Sequence, residues 1–275
     1  MIRRSHQPYL TQSVPGRQGW PLAFAHRGAD TTRENTLAAF RAAVERGYGY
    51  LELDVRTSAD GELVVFHDET LDRTTTGTGP LSERTWAELS ELLVVQDEDG
   101  SRVGGGEPLL RFEDLLTAWP DVHLNVDLKD DAAAPVIAEL LARHGAWDRV
   151  LVASFHDSRR RHFTRAAGRR VAMSGGAAAI AAMVLAAPVG LAHWVGRRLA
   201  HIDCVQVPVR QGPIPIVTPR FVARCHEAGL QVHVWVVDEP AEMERLLEMG
   251  VDGLMTDDVD ALARVMECRG FWPQH

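Results

Sequence analysis

Apolar, strand-type runs and helix-compatible stretches alternate eight times along this chain, and no other feature narrows its fold as far. The runs cover 22–25, 50–55, 122–127, 150–154, 170–173, 204–207, 231–236 and 252–256. The stretches that follow them cover 35–46, 111–119, 132–145, 157–167, 177–187, 218–228, 239–249 and 258–268. Eight strand-then-helix units predict an α/β chain closed into a (β/α)8 TIM-type barrel. An open doubly wound sheet is the alternative, but the strand count is high and no GxGxxG turn follows the first run.

One region departs from the alternation. After the second run the turn Ser58-Ala59-Asp60-Gly61 is too short for a parallel crossover, so 62–66 should fold back as a β-hairpin arm. The segment 69–108 then reads as an insertion over one rim, with a short helix near 85–93, glycines at Gly77, Gly79 and 104–106, and an acidic run at 97–99. The whole chain, 1–275, is expected to form one domain.

A net charge of −9 opposes broad nucleic-acid binding, because a phosphate backbone rewards excess Lys and Arg. Cys204, Cys225 and Cys268 have no zinc-like spacing, so they are expected to be buried structural thiols rather than a disulfide framework. The first twenty residues hold no apolar signal-peptide core, so the cytoplasm is the expected compartment.

Active sites of closed α/β barrels gather where the strands end. His26, Glu52 with Asp54, and Asp127 with Lys129 all fall at or near such ends, and His67-Asp68 follows the arm. Alternate strand residues share a face, so Glu52 and Asp54 point the same way, as do Asp127 and Lys129. Three carboxylates crowded together repel one another unless a cation joins them. All-oxygen ligation favours Mg²⁺ or Ca²⁺ over zinc. Histidines exchange protons near neutral pH and Arg27 can grip phosphate oxygens, so the set points to phosphodiester cleavage. Lys129 is the only lysine among 29 basic residues, a singular exception in an arginine-biased chain.

The runs HRGADTTRENT, LELDVRTSADGELVVFHDETLDRTTTGTG, LNVDLK, VHVWVV and VDGLMTD occur in order and closely resemble the glycerophosphodiester phosphodiesterase family. The resemblance extends from Leu22 to the last helix and implies a (β/α)8 barrel with an insertion after the HD motif. It implies that His26 and His67 serve as acid and base, and that Glu52, Asp54 and Asp127 are metal ligands. Arg27 and Lys129 would grip phosphate, and Trp235 would wall the pocket for glycerol or another leaving group. The implied reaction yields an alcohol and glycerol 3-phosphate. Three positions depart from the family pattern: Arg33 stands for proline, Asp127 for glutamate, and Trp235-Val236-Val237-Asp238 for a WTVN-like run.

Competing readings bear on single residues. His233 is expected inside the barrel, His156 stands close enough to a strand end to reach the site, and Glu34 is explained equally well by a helix start. From Val171 to Gly196 there is no Asp, Glu, Lys or Arg. That stretch is either an Ala-rich barrel helix or a membrane-touching flap interrupted at Pro188 and anchored by Trp194 and Arg197-Arg198. The flap would suit a lysophospholipase D acting on membrane lipids, the alternative to a small soluble diester as substrate. A non-catalytic phosphate-binding barrel fits less well, because two motif histidines argue for chemistry.

Overall fold

The computed structural model describes residues 7–11, 19–95, 106–186, 199 and 201–274. The acidic run 97–99, Gly104, Gly105, Pro188, Trp194, Arg197 and Arg198 lie outside the described residues. Eight strands form the barrel: β1 (Leu22–His26), β2 (Tyr50–Thr57), β3 (His123–Leu128), β4 (Val150–Ala153), β5 (Ala172–Gly175), β6 (Cys204–Pro208), β7 (Gln231–Trp235) and β8 (Gly253–Thr256). Each pairs in parallel with the next, and β1 pairs with both β2 and β8, which closes the ring.

The helices between them are α1 (Leu37–Arg46), α2 (Phe112–Ala118), α3 (Ala133–His144), α4 (Asp157–Ala167), α5 (Ala177–Ala186), α6 (Pro219–Glu227), α7 (Pro240–Glu248) and α8 (Val259–Cys268). Local chemistry sets several ends. Thr36, Thr218 and Asp258 accept the backbone N–H three residues on, as N-caps do, and Gly47 and Gly145 take left-handed conformations after α1 and α3.

Period-2 alternation divides the core into two layers. Ala23, Ala25, Leu51, Leu53 and Leu124 face the helices, whereas Leu22, Phe24, Tyr50, Leu151 and Met255 fill the barrel. The N-terminal turn Pro8–Thr11 plugs the lower end: Tyr9 is fully buried, edge-on to Tyr50 at 5.5 Å. The upper end, where the strands finish, remains for the site. His233 lies inside the barrel as expected, 5.1 Å from the Phe24 ring.

The arm Leu63–Val65 runs antiparallel to β2 and pairs in turn with Leu110–Arg111. The insertion has a small core of its own, built on Val64, Phe66, Leu71, Leu81 and Leu89. Its expected helix is shorter than 85–93: a capping box of Thr85 and Glu88 starts it, but it ends at Leu89. Leu93–Val94 instead forms a strand paired with Glu107–Pro108.

Two other expectations are corrected. Cys204 and Cys225 are buried but Cys268 is exposed, because it ends α8 on its outer face. The fifth strand starts two residues later than expected, since its partners Cys204 and Val205 select Ser174 and Gly175. In the uncharged stretch, Ala179 and Met183 of α5 are buried in the main core, so this part packs as a barrel helix. Among the described residues no helix is long and apolar enough to cross a membrane.

Candidate active site

Barrel register builds the upper end of the molecule. His26 pairs with Glu52 across β1 and β2, and Asp54 pairs with Asp127 across β2 and β3. In-register residues of adjacent parallel strands project to the same side, so these four side chains meet above the core. They line one cavity of about 180 Å³ with Arg27, His67, Lys129 and Trp235. All eight residues singled out in the sequence therefore border the same space.

The loop after β1 takes a rarely used backbone path. Arg27, Ala29 and Asn35 have φ of 51°, 54° and 61°, sparsely populated for residues with a side chain. At Gly28, φ is +87° and a Cβ would lie 2.7 Å from that of Ala39, so only glycine fits. The bend directs the Arg27 backbone N–H to the Glu52 carbonyl at 2.9 Å and the Arg27 guanidinium to Asp54 at 2.9 Å. Asn35 donates to Asp54 at 3.3 Å.

Both histidines are held alike. His26 Nδ1 lies 2.7 Å from Asp257 and His67 Nδ1 lies 2.6 Å from Asp68. A carboxylate only accepts, so each Nδ1 is the protonated nitrogen and each Nε2 is left to take or give a proton. His26 Nε2 is 3.8 Å from Glu52. Burial pulls the His26 pKa down, but Glu52 and the bond to Asp257 outweigh it and raise it above its ordinary value. Arg73 grips Asp68 at 2.5 Å and Glu34 at 2.6 Å, and Glu34 contacts Arg27 at 3.4 Å. Burial raises the Asp68 carboxyl, yet Arg73 and His67 bring it down to about 2.

The carboxylates differ from one another. Burial and then Asp54 push Glu52 up to about 7. Asp54 is equally enclosed, but Lys129 and Arg27 hold it below the usual range. Burial also raises Asp127. The Lys129 ammonium bridges Asp54 at 2.9 Å and Asp127 at 2.7 Å, and that pairing overcomes burial to keep it charged. As the side chains are placed, no group of three or more His, Cys, Asp or Glu among the described residues encloses an ion. The donor chemistry nonetheless fits a hard cation. Asp127 Oδ1 is buried without a hydrogen-bond partner, and burial keeps the Glu52 carboxyl raised even with His26, Arg27 and Lys129 nearby, a strain that a bound cation would relieve.

Sequence reasoning missed Asp257 and Arg73 and left Glu34 undecided between a site contact and a helix start. Helix α1 is capped by Thr36, so Glu34 precedes its first turn and pairs with two arginines instead. The only local signals were the strand-end position of Asp257, just past β8, and the place of Arg73 in the run that follows His67. His156 does not line the active cavity; it borders a neighbouring one.

Known proteins agree with this architecture and reaction class. The sequence profile of the glycerophosphoryl diester phosphodiesterase family matches residues 26–261. A probable glycerophosphodiester phosphodiesterase 2 of Mycobacterium tuberculosis is 39% identical over 93% of this chain and 94% of its own length. A glycerophosphodiester phosphodiesterase of Caldanaerobacter subterraneus is 30% identical over 90% and 99%. A crystal structure of a glycerophosphodiester phosphodiesterase from Agrobacterium tumefaciens superposes with a TM-score of 0.70 at 26% identity, covering 89% of this chain and 99% of that one. At 22% identity and a TM-score of 0.72, an Oleispira antarctica phosphodiesterase in complex with its product sn-glycerol-3-phosphate shares the fold over 90% of this chain and 97% of its own. With a matched profile over most of the barrel and relatives aligned along nearly their full lengths, the chain belongs to the glycerophosphoryl diester phosphodiesterase family, an enzyme that cleaves glycerophosphodiesters.

Proposed function

We propose that this enzyme hydrolyses small glycerophosphodiesters to an alcohol and glycerol 3-phosphate, with His26 and His67 as the proton-transfer pair and a divalent cation held by Glu52, Asp54 and Asp127. The observation that carries the reading is the matched pair of histidines around one cavity, each fixed through Nδ1 by a carboxylate. One Nε2 removes the proton of the nucleophile and the other protonates the leaving alkoxide. Lys129 and Arg27 line the same cavity and would neutralise the charge that gathers on the non-bridging oxygens in the transition state. Trp235 walls the cavity and orients the substituent beside it. When bound, Mg²⁺ or Ca²⁺ would add Lewis-acid polarisation of the phosphate.

Relatives named for the same activity, and a structural neighbour in complex with its product sn-glycerol-3-phosphate, support the choice of substrate. The test is turnover of glycerophosphoglycerol with product identification, before and after chelation. Chelation should abolish activity and Mg²⁺ or Ca²⁺ should restore it; full turnover by metal-stripped protein removes the cation from the reading. Calorimetry on Glu52→Gln should show weaker cation binding in a folded barrel.

A further inference from the structure

We propose that a second concavity beside the active cavity is a leaving-group subsite for a second phosphate, so that the favoured diesters carry an anionic alcohol. This rests on the phosphodiesterase reading above and adds the class of leaving group to it. The trough encloses about 450 Å³ and shares Asp127, Lys129, Ser154 and Phe155 with the active cavity. The two spaces therefore meet at the lysine that faces the scissile phosphate, and a substrate bound there has one substituent on each side.

The two sides differ in chemistry. Trp235, Ile180 and Met255 contribute apolar wall to the active cavity. The trough is bordered instead by Arg56, His156 and Arg159. Arg56 donates its Nε to the His67 carbonyl at 2.9 Å, which fixes the guanidinium, and its terminal nitrogens form no ion pair among the described residues. His156 is exposed, and its imidazole makes no hydrogen bond among the described residues. Arg159 is steadied by the Leu128 carbonyl at 3.1 Å and by Asp131 at 3.3 Å.

The acidic groups that border the trough are Asp127, Asp130 and Glu69, matched in number by Lys129, Arg56 and Arg159. Asp127 is paired with Lys129, and Asp130 accepts from the Thr57 N–H at 2.8 Å, the Thr57 hydroxyl at 3.0 Å and the Ala133 N–H at 2.8 Å. Glu69 stands on the exposed rim. What remains free toward the trough is a fixed guanidinium with its forked donors, the geometry that suits phosphate oxygens. Glycerol offers no charge to meet it and a choline head group offers the wrong sign.

The experiment compares kcat/KM for four diesters: glycerophosphoglycerol with a neutral alcohol, glycerophosphocholine with a cationic one, glycerophosphoglycerol phosphate with a terminal phosphate, and bis(glycerophospho)glycerol with a second internal diester. The last two separate a phosphorylated head group from the next unit of a glycerol phosphate chain, and preference for either supports the subsite. An anionic alcohol should be favoured over the neutral one by about tenfold or more at low salt, the scale of one charge-assisted contact, and the preference should shrink as salt rises. Arg56→Gln should lower the anionic-to-neutral ratio about tenfold, a readout that cancels any effect on His67 common to both substrates. His156→Gln, at the exposed rim, should lower the ratio less and keeps the test alive if the Arg56 variant misfolds. Equal kcat/KM for neutral and anionic diesters, or a preference for choline, overturns the subsite while leaving the phosphodiesterase reading intact. Failure to cleave any of the four overturns both.

Discussion

Replacing His123 by phenylalanine should make the barrel more resistant to acid while leaving it nearly as stable at neutral pH. His123 begins β3 at the plugged end, stacked on Tyr50 at 4.5 Å and edge-on to Tyr9 at 5.5 Å. Its Nε2 is buried without a hydrogen-bond partner, and burial brings its pKa down to about 4 from an ordinary 6.5. The unfolded chain thus binds a proton below pH 6.5 that the folded chain refuses until about pH 4. Stability from the neutral ring is full above 6.5, falls with falling pH across that window, and then levels off. At pH 4.5 the loss from this one histidine is roughly 2 kcal/mol by linkage, at about 1.4 kcal/mol per pKa unit. Buried His233, likewise held at about 4, adds a loss of the same sign. Glu52 works oppositely: raised to about 7, it binds a proton in the fold that the unfolded chain releases down to 4.5, so its contribution grows as pH falls. Both terms are common to the parent and the variant and cancel in their difference. Phenylalanine removes the unsatisfied nitrogen and keeps the ring contacts, so the pH 7 values should agree within about 1 kcal/mol. Urea unfolding at pH 7, 6, 5 and 4.5 measures the difference. If the two proteins lose stability in parallel, His123 is not held neutral by the fold and the linkage argument fails.

The catalytic assignments give sharper losses. His26→Ala and His67→Ala should each lower kcat by roughly 100-fold or more with the melting temperature little changed, since both sit at the barrel mouth; near-normal kcat on glycerophosphoglycerol would remove the residue from its role. Lys129→Arg keeps the charge but forces a wide planar group between Asp54 and Asp127, so kcat should fall about tenfold or more, whereas full activity would mean that a point donor is not required there. Arg73 acts through others, linking Asp68 behind His67 to Glu34 beside Arg27. Arg73→Gln should cut kcat more than it changes KM and shift the pH–rate profile, with partial recovery in Arg73→Lys. A variant altered in KM alone would make Arg73 a substrate contact instead.

What could be read from the sequence was whatever a short period or an adjacent pair carries. Period-2 alternation placed Glu52 and Asp54 on one face, and the eight repeated units implied the ring that puts Asp54 beside Asp127. Once the ring closes, β8 must return beside β1, and this return brings Asp257 to His26 from 231 residues away. No window along the chain holds that pair. The insertion failed for the same reason: its apolar run near Leu93 looks helical locally, but Glu107–Pro108 offers backbone partners and turns it into a strand. Glu34 stayed undecided because a carboxylate near a helix start has a sufficient local explanation, and only the position of the Thr36 cap excludes it.

The lone lysine shows where local reading reaches its boundary. The family resemblance implied a phosphate contact at this position, but the sequence could not disclose that the ammonium lies between two carboxylates. That placement gives Lys129 two partners for its charge. An anion arriving in the cavity supplies a third, and a cation joining Asp54 and Asp127 would compete with the lysine for the same oxygens. On the proposed reading, reactivity would depend on how one fixed ammonium is shared among groups that meet only after the barrel has closed, so the roles of Lys129 and the carboxylates must be tested together rather than residue by residue.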